Sequence, residues 1–158
     1  IPWLGWIMVV TILLTHLLIC TGYFAIAKNH QLQRLQKLVM YWFIAGLAYN
    51  FSGFLLFFSF FRLSWGSNYF FVPIGPFFIT KIILFIVEGI ILLKLAGELK
   101  KLTMYGKTIT NVSKLYYFSG WFRATIILAV FVPVLELSAT AYEIMLFFKA
   151  NKIENKKK

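Results

Sequence analysis

Aspartate is absent from the 158-residue sequence, and only 13% of the residues are charged. A soluble domain of this size has about a quarter of its residues charged. The shortage of charge therefore excludes a soluble globular enzyme. Instead, 61% of the residues are hydrophobic and 20% are aromatic, and this composition predicts an integral membrane protein.

Cysteine is nearly absent as well. The single cysteine, Cys20, excludes an internal disulfide bond and a cysteine pair for a metal. The sequence also lacks a nucleophile elbow, a phosphate-binding loop, a zinc-ligand pair and a catalytic carboxylate pair at recognisable spacing. We therefore assign no catalytic residue and no metal site, and the sequence does not favour an enzyme. Because it starts with Ile1 and Pro2, without methionine, we expect that N-terminal residues are missing or were removed by processing.

Positive charge is plentiful, with a formal net charge of +11. Lys and Arg concentrate in residues 28–37, 94–114 and 149–158, which flank apolar runs. A nucleic-acid interface would need a continuous basic surface, and apolar spans separate these segments. We therefore expect no nucleic-acid partner, and we expect these cations to contact lipid headgroups.

Four apolar runs are long enough to cross a bilayer, which needs about 20 residues in a helix. They cover residues 3–27, 38–61, 74–95 and 119–148. These runs predict an all-α fold, a four-helix transmembrane bundle forming one domain over residues 1–148. A basic tail at 149–158 is expected to be disordered. The fourth run is longer than a bilayer requires, so we expect it to tilt, to kink at Pro133 or to project.

The cations next to the predicted spans bear on the membrane orientation, and Arg62 and Arg123 serve among them as interface and topology markers. The counts of Lys and Arg favour placing the first and third loops in the cytoplasm, with both termini on the other side. The basic C-terminal tail contradicts this assignment, so the sequence does not fix an orientation.

Polar side chains within the spans are the candidate site residues, because such groups are costly in lipid. Seven residues separate Lys81 from Glu88, so the two share one face of a helix, and Glu136 and Glu143 repeat that spacing. Such groups could relay protons or bind a cation, stabilise the bundle internally, or contact another subunit. The six candidates are His16, Asn50, Lys81, Glu88, Glu136 and Glu143.

His16 also has the position of an axial ligand for b-type haem, near the middle of the first span. The other histidine, His30, lies in a predicted loop. A second axial histidine would therefore have to come from a partner subunit, or the haem would be five-coordinate. Haem b or a quinone is accordingly an open cofactor hypothesis beside a purely structural role for His16.

Several short motifs occur in a familiar order. LLTHLLICTG surrounds His16, GFLLFFSFFR ends at Arg62, WGSNYFF follows, PFFITK contains Lys81, and FVPVLELSATA interrupts the last run with Pro133. Over residues 10–142 this order resembles a family of bacterial four-helix inner-membrane proteins of unknown function in the copper-resistance-D-like group. The resemblance implies a four-helix membrane fold, and it slightly strengthens the hypothesis that His16 is a haem ligand.

The sequence departs from that family in two places. The family has an acidic residue early in the fourth helix and an Arg-Gly pair near the chain end. Here Arg123, Ala124 and Thr125 occupy the first position, and no Arg-Gly pair occurs. Glu88 and Glu136 are additions to the family pattern.

Three functions follow as hypotheses. The first is a small non-catalytic subunit of a larger or oligomeric membrane complex, in respiration or transport. The second is a proton- or cation-coupled carrier that uses the carboxylates within the membrane. The third is a haem- or quinone-binding redox module centred on His16. All three place the protein in a bacterial or organellar inner membrane, in contact with the bilayer and with other subunits or further copies of itself.

Overall fold

The computed structural model describes residues 2–64, 74–126 and 129–155, and this part of the chain is all-helical. Its five α-helices are α1 (Pro2–Asn29), α2 (Gln33–Ser64), α3 (Ile74–Leu99), α4 (Lys107–Thr125) and α5 (Val132–Asn155). Short 3₁₀ turns precede α4 and α5. Within these described ranges, two helices are long and apolar enough to cross a membrane, α1 over Val10–Asn29 and α2 over Gln33–Leu55.

The prediction of one helix over residues 119–148 is wrong, because this run contains the end of α4 and most of α5. The backbone of Ile126 adopts a left-handed conformation with φ of 59°, and its N–H bonds to the carbonyl of Arg123, which ends α4. Pro133 lies in the first turn of α5, where the missing N–H breaks no intrahelical bond. Pro133 therefore starts a helix and does not kink one.

The prediction of a disordered tail from residue 149 is also wrong over the described residues, because α5 continues to Asn155. The Lys149 ammonium donates a 2.7 Å hydrogen bond to the carbonyl of Tyr105, just before α4. Residues 156–158 lie outside the described part of the chain. The aromatic connection that the sequence predicts around 63–72 lies mostly outside it too, as does the side chain of Arg62.

Helices α4 and α5 form an antiparallel hairpin with a regular register. Arg123 pairs with Glu136 next to the connection, and Tyr116 pairs with Glu143 two turns away. A tight turn likewise joins α1 to α2, with Gln31 at φ of 54°. Helices adjacent in the sequence pack against each other throughout, so the chain runs alternately up and down.

The basic residues collect at one end of this bundle. The α1–α2 turn, the α3–α4 connection and the C-terminal end of α5 meet there, and His30 and Tyr105 join the first two by a 2.8 Å hydrogen bond. The extra helix brings the C-terminal lysines to the same end as the first and third loops. The sequence had predicted that the C-terminal tail lies at the opposite end from these loops, and this prediction is corrected. We call this the basic end; its described cations are Lys28, Arg34, Lys37, Lys94, Lys100, Lys101, Lys107, Lys114, Lys149 and Lys152.

The interior is built from aliphatic side chains and a cluster of aromatic rings. Tyr23, Trp42 and Tyr116 are buried and contact one another, with ring centroids 5.4 to 6.4 Å apart. The outward faces are apolar on every helix, including Trp121 on α4 and Leu137 on α5, which are 50% and 73% exposed. Contiguous exposed apolar surface of this extent is typical of contact with lipid or protein.

Candidate functional site

Two glycines bring α3 and α4 into direct backbone contact. A Cβ atom on Gly89 would lie 2.6 Å from the backbone nitrogen of Ala124, and one on Gly120 would lie 2.8 Å from the carbonyl oxygen of Gly89. Such close approach requires residues without side chains. Glu88 precedes Gly89, and Arg123 follows Gly120 by almost one turn, so the crossing places their side chains opposite each other.

The guanidinium of Arg123 connects three helices. Its Nη1 donates to Oε2 of Glu88 on α3, and its Nη2 donates to Oε1 of Glu136 on α5. We call these three residues the charge cluster. The side chains of Arg123 and Glu88 are only 7% and 6% exposed, whereas that of Glu136 is 40% exposed at the bundle surface. The charge cluster is therefore a buried ion pair with one additional carboxylate open to the surroundings.

Aromatic side chains surround the buried part of the charge cluster. The Arg123 guanidinium lies 5.0 Å from the ring centroid of Phe85 and 5.7 Å from that of Tyr49, within range for cation–π attraction. The indole of Trp42 faces the Glu88 carboxylate. Among the described residues, the Nε of Arg123 has no hydrogen-bond partner. Both carboxylates thus bind the outer edge of the guanidinium.

A third carboxylate lies deeper along α5. Glu143 is 1% exposed and accepts a hydrogen bond from the Tyr116 hydroxyl, while the Tyr23 hydroxyl faces the same carboxylate. Seven residues of helix, about 10 Å, separate Glu143 from Glu136. This part of the described bundle therefore contains three carboxylates, on Glu88, Glu136 and Glu143, and one guanidinium, that of Arg123.

Lys81 does not join Glu88, although the two share a helix face. Its ammonium lies 5.1 Å from the ring centroid of Tyr49 and only 2.9 Å from the position of a Cβ atom on Gly53. It lines a shallow cleft of about 180 Å³ between α2, α3 and the end of α4. The other lining residues are Tyr49, Phe78, Ile82, Phe85 and Ile126.

His16 packs against α2. Its ring lies edge-on to Trp42, with centroids 4.9 Å apart, and stacks on Phe43 at 5.9 Å. Its Nε2 contacts the backbone of Gly46 and lies 3.9 Å from the Cys20 sulfur. This packing leaves no room for an iron bond at Nε2, so the residues around His16 do not fit an axial haem ligand.

Asn50 is satisfied within its own helix, because its side-chain amide donates a 2.8 Å hydrogen bond to the carbonyl of Gly46. Glu98, which the sequence did not single out, lies at the basic end and pairs with Arg34 at 3.3 Å and Lys101 at 2.7 Å. It is a carboxylate outside the charge cluster and supplies a natural control.

The roles of Arg123, Tyr116 and Tyr23 were not predicted from the sequence. Arg123 was assigned to topology, although it lies between Trp121 and Ile126 in an apolar run. A cation in the middle of an apolar run was the signal for a partner of the carboxylates. No comparable signal marked Tyr116 or Tyr23, since tyrosines are common in this sequence.

Comparisons with known proteins identify no relative of this chain. No protein-family model, curated protein or solved structure matches the chain. The resemblance to the copper-resistance-D-like group therefore stays an expectation from the sequence.

Proposed function

We propose that the protein is an integral membrane protein that carries protons or a small cation through its interior carboxylates. The excess of carboxylates over guanidinium groups at and beside the charge cluster supports this proposal most directly. Glu88 and Glu136 share the guanidinium of Arg123, and Glu143 bonds to the Tyr116 hydroxyl without a described cation. Unbalanced charge is expensive in a low-dielectric interior, and bound protons or a bound cation would restore the balance.

Membrane placement in five crossings is part of the proposal. Helix α4 has 19 residues and α5 has 24, so the first spans about 28 Å and the second more, near the thickness of the hydrocarbon core. Their outward faces carry large apolar side chains, as α1 and α2 do. Positive charge gathered at one end of the bundle favours a cytoplasmic basic end.

Glu136 is the entry point in this proposal, because its carboxylate is the accessible one of the charge cluster. A proton or cation that binds Glu136 weakens its pairing with Arg123, and the guanidinium then interacts more strongly with Glu88. Glu143 and its tyrosine partners provide the next polar group toward the basic end. The carboxylates act as successive binding positions, and Arg123 limits how many can be charged at once.

Flux measurements in proteoliposomes test this function. Purified protein is reconstituted with a pH-sensitive dye inside the vesicles, and a pH or potassium gradient is applied. The proposal predicts a flux above that of protein-free vesicles, which Glu136→Gln lowers to the background. The control, Glu98→Gln, removes a carboxylate outside the charge cluster and is expected to keep the flux. Equal flux for Glu136→Gln and the unmodified protein would overturn the proposal.

We propose a second candidate, a non-catalytic subunit of a membrane complex, on the basis of the surface position of Glu136. A 40% exposed carboxylate beside exposed Val134 and Leu137 is costly in lipid, and a neighbouring subunit or second copy would cover it. Native mass spectrometry after gentle extraction tests this candidate. An assembly that Glu136→Leu disrupts and Glu98→Leu preserves would support it, and a single unaccompanied chain would contradict it.

The redox hypothesis has no comparable support. The packing of His16 against Gly46 and Cys20 does not fit a haem ligand, and no described feature favours a quinone. A bacterial or organellar inner membrane remains the proposed location, in line with the proton or cation gradients that a carrier would use.

A further inference from the structure

The cleft around Lys81 is distinct from the charge cluster, although Tyr49 and Phe85 line the cleft and also lie beside the Arg123 guanidinium. Five of its six lining residues are aromatic or aliphatic, and Lys81 is the sole charged one. Phe78 and Ile126 at its margin are 57% and 48% exposed. The cleft is therefore an apolar recess, open at the surface of the bundle, with one ammonium inside it.

Lys81 lacks an acidic partner among the described residues. Glu88 and Glu136 bind Arg123, Glu143 accepts from Tyr116, and Glu98 pairs at the basic end. Among the described residues, the ammonium has one electrostatically favourable contact, with the face of the Tyr49 ring. Such a contact leaves the other sides of the ammonium able to bind an anion.

The position of the cleft along the bundle indicates which kind of anion it binds. Lys81 contacts Gly53, which lies twenty residues beyond the start of α2 at the basic end. Twenty residues of helix extend about 30 Å, the thickness of a hydrocarbon core. With the basic end at one membrane surface, the ammonium lies near the headgroups of the opposite leaflet, and Phe85 lies one turn closer to the bilayer centre.

We propose that this cleft binds one phospholipid, with the headgroup phosphate on the Lys81 ammonium and an acyl chain along Ile82 and Phe85. Charge complementarity favours an anionic phospholipid over a zwitterionic one, because the described lining residues supply one positive charge and no negative charge. The inference rests on the proposed membrane placement and is independent of any flux.

Native mass spectrometry with competing lipids tests the inference. Delipidated protein in detergent receives equal amounts of phosphatidylglycerol and phosphatidylcholine with identical acyl chains. One ammonium is expected to enrich the phosphatidylglycerol adduct by about fivefold. Lys81→Gln is expected to abolish this enrichment, and Lys81→Arg to retain it. The matched control is Lys94→Gln, which removes an exposed lysine of the same helix and is expected to keep the enrichment.

Unchanged enrichment in Lys81→Gln, or an equal loss in Lys94→Gln, would overturn the inference. Displacement of the lipid adduct by inorganic phosphate would overturn it too, because the cleft would then select the phosphate without the acyl chains. A second variant, Ile82→Trp, fills the cleft without changing charge and is expected to reduce the phosphatidylglycerol adduct. Unchanged adduct in that variant would place the lipid elsewhere.

Carbonate extraction of source membranes separates the two proposals. Release of the protein into the soluble fraction would overturn both the membrane placement and the lipid site. Retention in the membrane, with equal amounts of the two lipid adducts, would overturn only the lipid site.

Discussion

Arg123 and Glu136 lie thirteen residues apart in the sequence, and their ion pair closes the hairpin between α4 and α5. The same guanidinium reaches across to Glu88 on α3. One side chain thus fixes the relative positions of three helices. Because two carboxylates depend on it, Arg123 is the residue on which both the fold and the proposed function depend.

Replacing Arg123 tests that dependence. In Arg123→Gln, two carboxylates face each other without a cation, and breaking a buried pair in this way costs about 3–5 kcal/mol. The free energy of unfolding, measured by denaturant titration in detergent micelles, should fall accordingly. The control is Arg34→Gln, because Arg34 is 79% exposed and Glu98 keeps Lys101 as a second partner, so we expect a loss of less than about 1 kcal/mol. A similar loss for both variants would contradict the central role of Arg123.

The contact of α3 with α4 depends on Gly120. In Gly120→Ala, the added methyl group would meet the Gly89 carbonyl at 2.8 Å and the Leu93 nitrogen at 2.9 Å, and backbone atoms cannot yield without separating the helices. We expect a loss of about 1–3 kcal/mol, the usual cost of overpacking, measured as a lower midpoint of thermal unfolding.

Gly97 provides the control for Gly120. A Cβ atom at Gly97 would have no other atom within 4 Å, so Gly97→Ala should be neutral or stabilise α3 by up to about 1 kcal/mol through helix propensity. If both alanine variants unfold at the same temperature, the close crossing of α3 and α4 is not as described.

The hydroxyl of Tyr116 stabilises the buried carboxylate of Glu143. Tyr116→Phe removes this donor and should cost about 1–3 kcal/mol, the penalty for an unsatisfied buried polar group. Tyr117→Phe changes an adjacent tyrosine that is 44% exposed and should have little effect. Chemical denaturation of the two variants side by side measures the difference, and a smaller loss for Tyr116→Phe than for Tyr117→Phe would refute it.

Much of the helical framework followed from the sequence. The apolar runs identified α1, α2 and α3 near their observed bounds, and the polar residues at 29–36 predicted the tight turn between α1 and α2. The division of the last run did not follow, because Ile126 ends α4 in a backbone conformation that isoleucine rarely adopts. Hydropathy continues across that break, so composition alone suggests one long helix.

The carboxylates of the candidate site could be predicted from the sequence, but their cation, Arg123, could not. Residue spacing placed Lys81 and Glu88 on one face, and this spacing suggested Lys81 as the partner. The close crossing at Gly89 and Gly120 decides otherwise, because it brings Arg123 of another helix to Glu88. Contacts between helices depend on which faces meet, and that information is not contained in the periodicity of a single helix.

The proposed function depends above all on α4 and α5 crossing the membrane as a hairpin, because only this placement would bring the charge cluster into the bilayer. Cysteine labelling tests this in sealed vesicles, with Cys20→Ala as background and a membrane-impermeant maleimide as the probe. Gln33→Cys reports on the α1–α2 turn and Lys152→Cys on the end of α5, both of them exposed positions. Five crossings predict that the two cysteines are labelled from the same side of the membrane. Labelling from opposite sides would show that residues 119–148 cross only once and would contradict the account.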